Sequence, residues 1–131
     1  MKQYLFLFLA ACLFSIGAHA QTLNNLVISP SPVPMNGVLH VDYDLFNNTT
    51  SPLNGPVNSH VKVNGLDLGV MNVHSLSGAL LPGQFVHISF PLVANAPNNF
   101  SPGGVIIIVW PSGSAWIGNS EGEAVNVTSG Q

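Results

Sequence analysis

The chain has 131 residues, 47 % of them hydrophobic and only 5 % charged, with a formal net charge of −3. Its two lysines and lack of arginine leave no basic patch to release counterions from phosphates or to hold an anionic bilayer, so nucleic acid and membrane surfaces are excluded as partners. The length allows one domain, and a single cysteine rules out a disulfide framework.

Residues 1–20, MKQYLFLFLAACLFSIGAHA, place Lys2 before an apolar run from Tyr4 to Ile16 and end in Ala18-His19-Ala20. This is the pattern of a cleaved secretory signal peptide, and the run falls short of the about 20 apolar residues that a bilayer-spanning helix needs. Cys12 lies inside the run and leaves with it, so the exported domain, 21–131, carries no thiol and is not expected to insert in a membrane. The expected location is outside the cytoplasm: secreted, on the cell surface or in the periplasm. In 21–131, Lys62 stands against Asp42, Asp44, Asp67, Glu121 and Glu123, a formal net charge of −4. Globular surfaces usually carry about a quarter charged residues. One built instead from Asn, Ser, Thr and Gly tolerates close contact with a neighbour or a polysaccharide.

No window after the leader holds a helical period. Clusters of Asn, Gly, Pro and Ser punctuate the chain at SPSPVPMNG, NNTTSPLNGP, NGLD, LPGQ, NAPNNFSPGG, PSGS and GNSEG. The segments between them are short and rich in Val, Ile and Leu, which predicts strands over about 24–29, 37–46, 58–64, 67–75, 84–92, 103–110 and 121–128. Seven strands at this spacing indicate an antiparallel β-sandwich. In VLHVDYDLF, Leu39, Val41, Tyr43 and Leu45 point one way and His40, Asp42 and Asp44 the other. FVHISFPL buries Val86, Ile88, Phe90 and Leu92 on the same logic, leaving Phe85, His87, Ser89 and Pro91 opposite. Asn64-Gly65 supplies the positive backbone angles of a tight hairpin turn.

The segment GGVIIIVWPSGSAW, 103–116, breaks the alternation, because no polar residue interrupts VIIIVW. Two readings fit. Either the strand is covered on both sides, for example by the aromatic turn that follows it, or one face is an exposed apolar strip that docks a partner.

The order of ISPSPVPMNGVLHVDYDLFNN and VNSHVKVNGLDLGVMNVHSLSGALLPGQFVHISFPL resembles the CARDB-like and related immunoglobulin-like or fibronectin-III-like adhesion modules of bacterial surface proteins. The likeness lies in a strand ending at Asn47-Asn48, a strand pair around Asn64-Gly65, the turn Leu81-Pro82-Gly83, and an acidic stretch, NSEGEAVNV, before the last strand. It covers residues 24 to 128. The resemblance implies a seven-stranded immunoglobulin-like sandwich used for binding, spacing or adhesion, without catalysis. Trp110-Pro111 departs from the polar residue that often follows the sixth strand of such modules.

In an immunoglobulin-like topology the second and fifth strands are neighbours, which brings His87 to the face of His40, Asp42 and Asp44. Two imidazoles and two carboxylates are ordinary zinc ligands. Residues two apart on a strand are nevertheless roughly 7 Å apart. A solvated outer face is therefore the simpler reading, and no metal or other cofactor is expected. No nucleophile elbow and no phosphate-cradling glycine loop is present, since PSGSAW reads as a turn and PGG precedes a strand. Asn47, Asn48, Asn99 and Asn126 head N-x-S/T triplets, incidental ones if the host is bacterial.

Trp110 and Trp116 flank one turn, with one expected in the core and one accessible for stacking or docking. The expected binding residues are accordingly Ile107, Trp110 and Trp116. The reading that follows is an exported, non-enzymatic binding, adhesion or assembly subunit whose partner is a protein, including a second copy of itself. The alternative is a carbohydrate-binding module that stacks sugars on tryptophan. A small secreted hydrolase or metal-dependent enzyme is the remaining alternative.

Overall fold

The computed structural model describes residues 21–129, so the leader expected over 1–20 lies outside the described residues. The described residues fold as an all-β sandwich of two sheets, with eight strands rather than seven. In chain order these are β1 (Gln21–Ser29), β2 (Val33–Pro34), β3 (Val38–Asn47), β4 (Val57–Val63), β5 (Leu66–His74), β6 (Phe85–Val93), β7 (Gly103–Ser112) and β8 (Glu121–Thr128). A single turn of 3₁₀ helix, Ala96–Asn98, joins β6 to β7. The first sheet has the order β1-β3-β6 and the second β2-β8-β7-β4-β5.

The added strand is β2, two residues that pair in parallel with Val127 and Thr128 of β8. It follows two cis prolyl bonds, Ser29–Pro30 and Ser31–Pro32, which carry the chain from the first sheet to the second. All other pairings are antiparallel.

Alternation builds the core as the side-chain pattern requires. Leu39, Val41, Tyr43 and Leu45 of β3 are fully buried, and Ile88, Phe90 and Leu92 of β6 lie beside them. On β1, Leu23 and Leu26 are three residues apart, a spacing that a regular strand would send to opposite faces. A β-bulge between Asn24 and Val27, with Asn25 at φ 57°, turns both inward. The facing sheet contributes Val57, Val61 and Val63 from β4, Val105, Ile107 and Val109 from β7, and Val125 and Val127 from β8. Each such side chain contributes roughly 1.5–3 kcal/mol when fully buried.

One polar contact crosses this core. The Tyr43 hydroxyl on the first sheet meets the Ser59 hydroxyl on the second at 2.6 Å, and both residues are fully buried. Burial pushes the phenol up from its ordinary value of 10 to about 12, with the Ser59 hydrogen bond acting weakly in the opposite direction. A raised folded-state pKa means that the contribution to stability is complete below pH 10 and is lost as pH rises through about 12. Tyr43 is the only tyrosine among the described residues, so tyrosinate absorbance follows it cleanly. Its titration is expected near pH 12, together with loss of the sheet circular dichroism signal. Tyr43→Phe leaves the Ser59 hydroxyl unpaired and is expected to cost about 1–3 kcal/mol in urea denaturation.

Candidate functional site

β7 lies between β4 and β8, and its register decides which side of VIIIVW faces water. Val105 pairs with Val125, Ile107 with Val63 and Val109 with Val61, all directed into the core. Ile107 is 0 % exposed and cannot touch a partner, so the expected binding residue at that position is corrected to a core residue. The opposite side carries Ile106, which is 50 % exposed, and the half-buried Ile108 and Trp110. Neither a loop nor the aromatic turn covers Ile106. The apolar strip therefore exists, one residue out of phase with the expectation.

Neighbouring strands extend this outer face. β8 contributes Gly122 and Ala124 opposite Ile108 and Ile106, so small side chains leave the isoleucines standing proud of the sheet. β4 contributes His60 and Lys62 opposite Trp110 and Ile108. β5 adds the exposed Val70 and Val73, the cross-strand partners of His60 and Asn58. The His60 and Trp110 rings stack with centroids 5.1 Å apart and planes 8° from parallel. His60 Nε2 also shares a proton with Ser112 Oγ at 2.7 Å. This contact joins residues 52 apart in sequence, a separation that no local motif spans. A serine hydrolase would need an acid on the other ring nitrogen and donors for an oxyanion. Among the described hydrogen bonds no carboxylate reaches His60, and Trp110 covers one face of its ring.

Trp116 lies in the turn after β7. Its indole rests on Gly113, where a Cβ would come within 2.0 Å of Nε1, and it packs against the core. Backbone bonds from Gly113 N to Trp116 O and from Gly118 N to Pro111 O close the turn. Ile117, bridged to Ser112, is the residue this turn presents, at 70 % exposure. Of the two tryptophans, Trp110 thus belongs to the outer face, whereas Trp116 buttresses the turn.

The outer face of the first sheet is polar where the sequence placed its candidate ligands. Asp44 pairs with His87 across β3 and β6, as the neighbouring of these strands requires. His87 Nδ1 lies 2.9 Å from Asp44 Oδ1, and its Nε2 lies 3.2 Å from Asp42 Oδ1. Both contacts are hydrogen bonds at once only when the imidazole carries two protons. Asn25 Nδ2 donates to the other Asp44 oxygen at 3.0 Å. These bonds, first from Asn25 and then from His87, hold the Asp44 carboxyl below its ordinary range. Hydrogen bonds to Asp44 and then Asp42 raise the His87 imidazole. No group of three or more His, Cys, Asp or Glu side chains among the described residues has the geometry to hold a metal ion; His40 pairs instead with Pro91 and Ser29 across its neighbouring strands.

Of the N-x-S/T asparagines, Asn47 is fully buried. Its amide donates to the Ser51 and Leu80 carbonyls, and its oxygen accepts from Thr49. It pins the loop after β3 and is not a surface acceptor. Among the described residues no helix is long and apolar enough to cross a membrane.

The class of protein defined here is a two-sheet, all-β sandwich. No protein-family model matches the chain, and no curated protein matches it. Among solved structures, the chain is similar to the alkylpurine DNA glycosylase AlkC of Pseudomonas fluorescens bound to DNA containing an abasic site analog, at 17 % identity and a TM-score of 0.54. That match covers 92 % of this chain and 34 % of the glycosylase, so the chain spans about a third of that protein's length. A β-glucosidase from Listeria innocua gives 16 % identity, a TM-score of 0.48, and coverage of 79 % of this chain and 16 % of the enzyme. At such identities the likeness concerns the fold alone.

The His87 clamp has a defined pH response. A raised imidazole pKa means the clamp is fully formed below the ordinary histidine value and loosens as pH rises through the folded-state pKa, while the lowered Asp44 keeps its own contribution until pH falls below the ordinary carboxylate range. In an NMR titration the His87 ring protons are expected to show a midpoint above the ordinary histidine value. Asp44→Asn is expected to lower that midpoint toward the ordinary value, and an unchanged midpoint would refute the clamp.

Proposed function

We propose that the chain is an exported, non-enzymatic immunoglobulin-like module of the CARDB-like kind that acts in adhesion or assembly, docking a second copy of itself through the outer face of the β2-β8-β7-β4-β5 sheet. The observation that carries this reading is the outward row of exposed Ile106 and half-buried Ile108 and Trp110 on a sheet face flanked by Gly122 and Ala124. Soluble monomers rarely leave large contiguous apolar patches open to water.

The strand order supports the immunoglobulin-like assignment. A first strand divided between the two sheets, with β3 and β6 adjacent in one and β8-β7-β4 adjacent in the other, matches the two-sheet arrangement of that architecture. The leader pattern of residues 1–20 supports export to the cell surface or periplasm.

Charge supports a second copy as the occupant. Lys62 and Asp67, cross-strand partners on β4 and β5, give the face one residue of each sign. Among the described residues neither is in an ion pair. The other described charged residues are all acidic: Asp42 and Asp44 lie on the first sheet, and Glu121 and Glu123 lie on β8 in register with the inward-facing Val109 and Ile107. Two copies of an acidic chain meet with least repulsion through this neutral face, and Lys62 of one can approach Asp67 of the other.

Light scattering of the purified protein across a concentration series is expected to give a dimer mass. Ile108→Asp should convert it to monomer with little change in melting temperature. Ile107→Asp buries an unpaired charge and should unfold the domain, at a cost of more than about 4 kcal/mol. A wild-type monomer at high concentration, or a dimer unaffected by Ile108→Asp, would sink the self-docking reading.

A further inference from the structure

Phe85 is the only aromatic residue among the exposed large hydrophobics described, at 65 % exposure. It opens β6 on the outer face of the first sheet, directly opposite Phe46 of β3. The next row of the same face is Asn24, Asp44 and His87. Between the two rows lies a cavity of about 220 Å³ lined by Asn24, Asn25, Asp44, Phe46 and Phe85. The β1 bulge builds its rim, because Asn25 in the left-handed region turns its amide over the Asp44 carboxylate. A wider open groove of about 510 Å³ continues on the other side of Phe85, along residues 74–80 and 84–86.

We propose that this cavity is a subsite for one pyranose ring of a neutral glycan, with the ring's apolar face on Phe85 and the rest of the glycan continuing into the adjoining groove. Three features select that chemistry. An aromatic face offers an apolar platform to the C–H side of a sugar. The Asp44 carboxylate keeps lone pairs beyond those engaged by Asn25 and His87, so it accepts from hydroxyl groups. The Asn24 side chain makes no hydrogen bond among the described residues, and its amide can both donate and accept, as a hydroxyl does.

An organic cation fits less well. It has no use for the donor side of the Asn24 amide, and the Asp44 carboxylate is already engaged by Asn25 and His87. The site lies on the sheet opposite the proposed docking face and is independent of it. It also differs from the stacking on Trp110 or Trp116 expected from the sequence, since those rings are engaged by His60 and by Gly113 and the core.

The test is an amide NMR titration of the purified protein with methyl β-glucoside, methyl β-galactoside, methyl α-mannoside and a β-1,4-linked glucose tetrasaccharide, with tetramethylammonium as the cationic comparison. At least one sugar is expected to give saturable shifts at Asn24, Asn25 and Phe85, with the tetrasaccharide extending them to residues 74–80. Phe85→Ser is expected to weaken that binding at least about tenfold, the range in which a buried aromatic anchor acts. Asn24→Ala, at an exposed position, is expected to weaken it severalfold with the fold unchanged. Absence of saturable shifts with every sugar overturns the proposal, as does a response to tetramethylammonium alone. If Phe85→Ser does not fold, Asn24→Ala decides, and undiminished binding there overturns it too.

Discussion

The whole arrangement depends on the register of β7 between β4 and β8. Five consecutive branched aliphatics give the strand no preferred side of its own, because Ile106, Ile107 and Ile108 are chemically the same. Its neighbours settle the matter. β4 presents Val61 and Val63 inward, and β8 presents Val125 and Val127, so pairing places Val105, Ile107 and Val109 in the core. A slip of one residue would exchange the faces completely. The turn at Asn64-Gly65 and the paired bonds between Asn64 and Ile106 guard against it: Asn64 N donates to the Ile106 carbonyl, and Asn64 Oδ1 accepts from Ile106 N.

That constraint explains what the sequence made legible and what it did not. On β3 and β6 the polar residues His40, Asp42, Asp44, His87 and Ser89 mark the outward places, so the buried set Leu39, Val41, Tyr43, Leu45 and its partners on β6 is readable directly. On β7 nothing marks the phase, and Ile107 is mistaken for a surface residue when Ile106 and Ile108 occupy that position. Strand β2 is invisible for another reason. Two residues, Val33 and Pro34, carry no period, and their strand character comes entirely from parallel pairing with Val127 and Thr128. The bulge of β1 is not readable in the same way, because Leu23 falls outside the strand predicted over 24–29 and the inserted residue shows only in the pairing with β3. What the spacing does not reveal is that the insertion carries Asn25 over Asp44.

The absence of cysteine from residues 21–131 shifts the task of joining the sheets to packing and to Tyr43 with Ser59. The hydroxyl pair is a costly choice in a dry core unless both partners are satisfied, and here each satisfies the other. It also fixes which residues of β3 and β4 face each other, a specificity that an all-aliphatic core supplies poorly. At its open end the sandwich is closed by contact rather than by covalent bonds. Gly118 lets the turn after β7 press on Pro111 and the Gln21 carbonyl, where a Cβ would come within 2.6 and 2.8 Å, and Asn119 bonds the backbone of Leu23.

The two outer faces that result differ in kind, and the difference follows from where few charges fall. Exposed charges act over about 8 Å at physiological ionic strength, so each one governs mainly its own face. The first sheet carries Asp42, Asp44 and the imidazole they hold, together with the exposed Phe85, Val27, Val38 and Val93. The outer face of the second sheet carries Lys62 and Asp67 near the hairpin, the uncharged polar residues Asn58, His60 and Asn126, and the apolar or small residues Ile106, Ile108, Trp110, Gly122 and Ala124. An approaching apolar surface can cover Ile106, Ile108 and Trp110 without stripping a carboxylate, whereas contact at the His87 clamp must strip two. The sparse charge of this chain therefore acts less on its stability than on the character of its two outer faces, one centred on a pair of carboxylates and the other on a row of large apolar side chains.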